Sequence, residues 1–302
     1  MCHVLERNFT IVCDRGCDLP PVYLERAQAT VLEDVPHDAL GHVDEVALTQ
    51  ALVRTYRALA AQGHDKIVSV HSCASFSPVV TCAREAAAAC EGVADVRVID
   101  AGSASAATGM VVFRLMCHWA DGATLDEAVE QAQRLAGSVR LLVIPTVAAR
   151  FARRRSRKPR AGLLGRATSS LRIRISGERG LYLVSRGEVT QLARSSELSD
   201  LTGRLAHAMS AVAASEGELV YATIETGDAR ALRALEKPLD TNEFEARRLG
   251  SVSASSQVEK VVGQGAVAVA FAPADVYWRA AGTAGEDEVQ AADDALRAGR
   301  DS

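Results

Sequence analysis

Three short stretches place hydroxyl, thiol and carboxylate groups directly after apolar, strand-like runs. They are "DRGCD" (Asp14–Asp18), "CASFS" (Cys73–Ser77) and "AGSAS" (Ala101–Ser105). Ser77 stands before Pro78 and an alanine-rich helical pattern, which is the chemistry of an N-cap followed by a first helical turn. The exposed N–H groups of such a turn, together with the helix dipole, favour an anion. Ser103 and Ser105 offer the same chemistry to the next helix, although capping alone would account for all three serines. Nucleophilic catalysis by a Ser or Cys at these strand ends is the rival chemistry. It needs a base partner, which cannot be assigned from the sequence, and there is no G-x-S-x-G elbow. The chain has seven cysteines. Cys13 and Cys17 are four apart, and Cys73, Cys82 and Cys90 span a strand end and a helix. None of this is disulfide-framework or zinc spacing, so the thiols read as reduced small hydrophobes and no metal site is expected. Cys13 and Cys73 follow strand-like runs and are placed to line a ligand. His71 lies in a strand pattern and reads as a packed or loop-bonding histidine rather than a base. His118 and Trp119 fall on an apolar helical face and read as core or interface.

The elements that must carry these loops repeat one phrase through the first half. "FTIVCD" (Phe9–Asp14) alternates as a strand, and "DLPPVYLERAQ" (Asp18–Gln28) opens a helix with prolines at permissive positions. Ala47–Gly63 has helical spacing and a glycine stop. Lys66–His71 is a strand, followed by the helix from Pro78. Val96–Asp100 is a strand leading into the apolar helix "ATGMVVFRLMCHWA". Thr124 caps a further amphipathic helix, with Glu127 completing a capping box. Val139–Pro145 closes the series as a strand. Strands alternating with helices predict an α/β fold with a largely parallel sheet, whose βα loops share one edge where crevices form. From Arg150 to Arg166 there are eight basic residues and no acidic one. Beyond this run the pattern is α+β: strands in "LRIRIS" and "LYLVSRGEVTQLAR" with a turn at Arg186-Gly187, a helix from Leu198, a strand from Leu219, a helix from Gly227 and an apolar strand at Gly265–Pro273. The organisation expected is an N-terminal α/β domain over 1–150, a C-terminal α/β (α+β) domain over 151–278 with a basic junction loop at 150–166, and an acidic tail over 279–302. The boundary falls near 148 to 165.

Composition narrows the function classes. A net charge of −4 over 302 residues gives no global basic field, and the basic run holds only Phe151 as an aromatic, so nucleic acid is not expected. The run reads as a solvated loop or as a docking surface for an acidic partner or membrane phosphates. Gly263-Gln264-Gly265 lacks the third glycine of a dinucleotide fingerprint and precedes a strand. No apolar run approaches the ~20 residues of a membrane span, and the first residues lack the apolar stretch of a signal peptide. A cytoplasmic protein that does not span a membrane is expected.

In the order and spacing of its motifs the chain resembles the DegV family of fatty-acid-binding proteins. "CDRGCDLP" keeps Asp14, Asp18 and Leu19 of that family's Asp-Ser-x-x-Asp-Leu, with Arg15 at the serine. "SVHSCASFSPVV" keeps His71 and Ser77 but has Pro78-Val79 where the family has Gly-Thr. "VIDAGSASAATGM" keeps Asp100, Ala104, Ser105 and Gly109, and "VGQGAVAVAF" supplies the C-terminal Gly-x-Gly-Ala and apolar strand. The resemblance covers about Phe9 to Ala272. It implies a two-domain DegV-like fold, a parallel-sheet domain plus an α/β domain, that encloses one fatty acid without catalysis and has no cofactor beyond that ligand. It also implies a possible partner, a fatty-acid kinase subunit that receives the acid. By position Ser77 would meet the carboxylate, with Arg172 or Arg174 as cationic partners, and Asp14, Cys73, Ser103 and Ser105 at the pocket mouth. The chain departs from the family in two supports of the head group. The Thr-Ser-Gln-Pro segment is missing, leaving Thr49 as a weak substitute, and the family's histidine falls at Val261. A divergent member that no longer binds lipid and acts through its basic loop is the alternative this leaves.

Overall fold

The computed structural model describes residues 8–38, 42–146, 177–241 and 244–281. The basic run 150–166, the segment holding Arg172 and Arg174, and the tail from 282 lie outside them.

The first sheet is built from β1 (Thr10–Asp14), β2 (Thr30–Leu32), β3 (Lys66–His71) and β4 (Asp95–Asp100). Its order is β2-β1-β3-β4 and every pair is parallel. Helices α1 (Pro21–Arg26), α2 (Glu45–Ala61) and α3 (Val79–Ala88) connect these strands. Leu48, Leu52 and Tyr56 of α2, with Val79, Cys82 and Ala83 of α3, cover one face by packing on Val12 and Ile67. The other face receives α4 (Ala106–Ala120) and α5 (Leu125–Ala136). The capping box of α5 forms as the sequence predicts: Thr124 Oγ1 accepts from Glu127 N, and the Glu127 carboxylate accepts from Thr124 N.

The second sheet holds β5 (Arg140–Ile144), β6 (Arg179–Ser185), β7 (Glu188–Ser195), β8 (Leu219–Glu225), β9 (Ala246–Ser253) and β10 (Val267–Pro273). Its order is β7-β6-β5-β10-β8-β9, antiparallel except for the parallel pair β8–β9. The strand over 139–145, expected to close the first domain's series, therefore belongs to the second sheet. The chain passes between sheets before Arg140, ahead of the boundary expected near 148 to 165. The reason is burial on both faces. Leu141 and Val143 face the core beside α4, while Leu142 and Ile144 face the opposite core. A strand buried on two sides reads as an unbroken apolar run whichever sheet it joins. Helices α6 (Leu198–Glu216) and α7 (Ala229–Thr241) cover the outer face, and the short helices α8 (Ser256–Val262) and α9 (Ala274–Tyr277) lie on the inner side. The strands β2 and β9 and the helix α8 are not anticipated by the sequence reading.

The two sheets share one filling. A single apolar cluster includes Ile11, Val68 and Ile99 from the first sheet, Val111 and Leu115 from α4, and Leu141, Val143, Ile224 and Ala268 from the second sheet. The β6–β7 turn, expected at Arg186-Gly187, has positive φ at both residues (51° and 77°), the geometry of a tight I′ hairpin. Its tip ties the two halves together. Gly187 N donates to Gly102 O at 2.8 Å, Ser75 Oγ donates to Gly187 O, and Arg186 Nε donates to Gly137 O at 3.2 Å.

Candidate functional site: a cavity between the two sheets' edges

The three βα loops do meet at one edge. A 3-10 turn, Arg15–Cys17, follows β1, and Cys73 N donates to Ser103 O at 2.8 Å, joining the loops after β3 and β4. Helix α8 crosses from the second half to face them. Between them lies a cavity of about 430 Å³. Arg15, Gly16, Ser72, Phe76 and Ser77 line it from the loops, Val35 and His37 from the stretch after β2, and Gln257, Lys260 and Val261 from α8.

Ser77 is buried yet borders this space. Its expected N-cap bond is stretched: Val79 N lies 3.5 Å from Ser77 Oγ, and the helix itself starts at Val79 with Pro78 in the cap position. At that length the bond is weak, so the hydroxyl keeps hydrogen-bonding capacity. Asp14, Cys73, Ser103 and Ser105, expected at the mouth, have other surroundings. Asp14 is 1% exposed and lies beneath the cavity. Its Oδ2 accepts from His71 Nδ1 at 2.6 Å, and its Oδ1 accepts from Gly16 N at 2.8 Å and Gln257 Nε2 at 3.1 Å. Ser103 Oγ donates to Val184 O at 3.0 Å and is part of the packing between the halves. Ser105 Oγ donates to Asp18 Oδ2 at 2.5 Å. Cys73 is fully buried, and desolvation pushes its thiol up to about 12, far from a reactive thiolate. Thr49 Oγ1 donates to Glu85 Oε2 at 3.3 Å in an exposed position between α2 and α3.

The two aspartates four residues apart form a clasp. Asp14 holds the Gln257 amide, while Asp18 Oδ1 accepts from Ser255 N at 2.8 Å, so the turn after β1 grips the start of α8. Burial pushes the Asp18 carboxyl up to about 6, against the lowering effect of its bonds from Ser105 and Ser255. The turn can lie this close to α4 because residue 109 is glycine: a Cβ there would stand 2.4 Å from Cys17 O.

His71 continues the network inward. Its Nε2 lies 2.8 Å from Ser69 Oγ, which lies 2.8 Å from Tyr56 Oη. Asp14, His71 and Ser69 thus follow the order of a nucleophilic triad. However, Ser69 is fully buried and its hydroxyl is engaged by both His71 and Tyr56, so no carbonyl can approach it. The chain Asp14–His71–Ser69–Tyr56 is a scaffold that fixes the turn against the sheet and α2. His118 is buried, as its helical face predicts; desolvation lowers its imidazole to about 4. Among the described residues no cluster of His, Cys, Asp or Glu could hold a metal ion, and no helix is long and apolar enough to cross a membrane.

The cations around the cavity differ in availability. Arg15 is tied to Glu33, and His42 lies 3.4 Å from Asp38. Lys260, exposed on α8, has no ion-pair partner among the described residues. It is adjacent to Val261, the position where the resemblance lost its histidine. Sequence reasoning missed Lys260, Gln257 and Ser72. The one available signal was the proximity of Lys260 to the Gly-Gln-Gly stretch, and the short, polar text of α8 hid it.

A family model described as "Uncharacterised protein, DegV family" matches residues 47–274. Among solved structures, a DegV family protein of Corynebacterium glutamicum is similar with a TM-score of 0.70 at 19% identity, over 88% of this chain and 97% of that one. A fatty-acid-binding DegV family protein of Thermus thermophilus follows at 0.68 and 18%, over 88% and 99%. A fat acid (stearic acid)-binding protein of Eubacterium ventriosum reaches 0.67 at 14%, over 89% and 99%. Among curated proteins none matches the chain. The structural likenesses establish the shared two-sheet architecture, and the family match spans most of the sequence: the chain belongs to the DegV family.

Proposed function

We propose that the chain binds a fatty acid or similar acyl anion in the cavity between its two halves, without catalysing a reaction on it, and presents it to a kinase-type partner. The observation that carries this reading is that Ser77, from the loop after β3, and Lys260, from α8, line one cavity whose remaining surface includes Val35, Phe76, Val258 and Val261. A carboxylate removed from water must be paired, and a hydroxyl and an ammonium on the walls of the same cavity would supply that pairing. Apolar walls supply the affinity, at about 0.8 kcal/mol per buried methylene before ordering costs. The fatty-acid-binding relatives named above support the ligand class. Against catalysis stand the raised Cys73 thiol and the enclosed Ser69.

Denaturing the purified protein, extracting it with organic solvent and analysing the extract by mass spectrometry tests this directly. One acyl acid per chain is expected, with at least tenfold weaker reloading of Ser77→Ala, the loss of one hydrogen bond to a charged group. A protein that is empty as purified and takes up no acyl acid of any length would refute the proposal.

A further inference from the structure

A groove of about 320 Å³ lies between β9 and the helices α1 and α4, and it shares no lining residue with the cavity that borders Ser77. Tyr23, Met110, Phe113, Leu249, Val252 and Trp278 supply its apolar walls. Tyr23, Leu249 and Trp278 are 38%, 39% and 43% exposed, three of the seven large hydrophobic side chains so exposed among the described residues. Solvent-facing apolar groups gathered at one groove mark an interaction site. The strand adds a second feature. β9 is an edge of the second sheet and pairs only with β8, so its open side presents unpaired backbone N–H and C=O groups. Four consecutive residues, 249–252, line the groove. Side chains of a strand alternate between faces, so the groove reaches the free edge of β9 as well as one face. At Leu249 the pairing steps from Tyr221–Arg248 to Ala222–Gly250, a bulge that leaves Leu249 outside the ladder.

Two guanidinium groups stand against the aromatic wall. Arg114 is 9% exposed and lies 5.6 Å from the Trp278 ring centre and 5.8 Å from that of Tyr277. Its Nε has no hydrogen-bond partner, and no carboxylate pairs with it among the described residues. A buried cation without a counter-charge is costly and favours a nearby anion. Arg247, exposed on β9, lies 5.3 Å from the Trp278 ring centre and reaches Glu218 at 3.5 Å. Asp18 is the one carboxylate lining the groove, and it already accepts from Ser255 N and Ser105 Oγ. We propose that β9 and this groove dock an extended acidic segment of a partner protein. The segment adds to the sheet as a further strand beside β9 and seats one apolar side chain among Tyr23, Leu249 and Trp278. Its acidic flanks answer the charge of Arg247 and Arg114. Main-chain bonds along the edge supply affinity, and the apolar hollow supplies the choice of sequence. This docking is independent of what the other cavity holds.

Random ten-residue peptides displayed on phage are selected against the immobilised full chain, and the best is synthesised with a fluorescent label for anisotropy titration. The selected peptides should share an aliphatic or aromatic residue flanked by Asp or Glu. Affinity should fall at least about tenfold in Leu249→Asp and in Trp278→Ser, the loss of a central anchor. It should also fall in Arg247→Glu and as NaCl is raised from about 50 to 300 mM. The two anchor variants read the site separately, so one that fails to fold leaves the other. Hydrogen exchange followed by mass spectrometry should show the amides of β9 slowed by the peptide and those of β1 unchanged. Absence of any enriched peptide, peptides without acidic flanks, binding that survives both anchor variants, or unprotected β9 amides would each overturn the proposal. A dimer of the wild type in sedimentation velocity that dissociates in Leu249→Asp would also overturn it, assigning the groove to a second copy of the chain.

Discussion

Removing one negative charge at Asp18 should make the protein more stable at neutral pH. The carboxyl is 7% exposed, and burial raises it from the ordinary value of 3.8 to about 6. That rise corresponds to about 3 kcal/mol between the two protonation states. The sign follows from proton linkage. Between pH 4 and 6 the unfolded chain has already released this proton while the folded chain retains it. The Asp18 contribution is therefore fully present below pH 4 and is lost as pH rises through 6. Asp18→Asn removes the titration but keeps the geometry: the amide oxygen accepts from Ser255 N, and the amide N–H donates to Ser105 Oγ. Urea unfolding of both proteins at pH 4.5, 5.5, 6.5 and 7.5, followed by tryptophan fluorescence, isolates the effect, since all other titrating groups cancel in the difference. The stability of Asp18→Asn relative to wild type should improve by about 2 kcal/mol from the lowest to the highest pH, the rest of the change lying below pH 4.5. Parallel curves would show that the clasp carboxylate is not desolvated and that the account of the turn is wrong.

Gly109→Ala tests the close passage of α4 over the turn. Helix propensity alone favours alanine by about 1 kcal/mol, but a Cβ 2.4 Å from Cys17 O must push the helix or the turn aside. A net loss of about 1–3 kcal/mol in urea unfolding is expected, and a variant as stable as wild type would refute the contact. Lys260→Ala should weaken acyl-anion binding by up to about fivefold, as for an exposed ion pair, and should reduce its salt dependence without changing the melting temperature. Unchanged affinity and salt dependence would remove Lys260 from the head-group site.

Much of the first sheet was legible because its signals are local. The alternation in Phe9–Asp14 and Lys66–His71, the Thr124–Glu127 box and the Arg186-Gly187 turn each depend on a few neighbouring residues, and each forms. What failed depended on topology. The run at 139–145 is apolar on both faces, and nothing in it says which sheet it joins. The site follows the same division. Ser77 was found from its position at a strand-to-helix passage, and it borders the cavity. Asp14 and Ser105 have the right loops but are committed to holding the structure together, and side-chain direction at a tight turn is not written in residue type. Lys260 and Gln257 lie far along the chain from that loop, and only the return of α8 across the first sheet's edge brings them to it.

The single filling between the two sheets bears on how cargo moves. Were the halves to swing apart like a book, Val111 and Leu115 would lose partners on one side and the apolar faces of both sheets would meet water. Such a motion would undo the core of the molecule, so a guest bound as proposed would exchange through small displacements at the rim, beside the seven-residue helix after Ser255. Loading and release would then be governed by how firmly two aspartates hold one short helix.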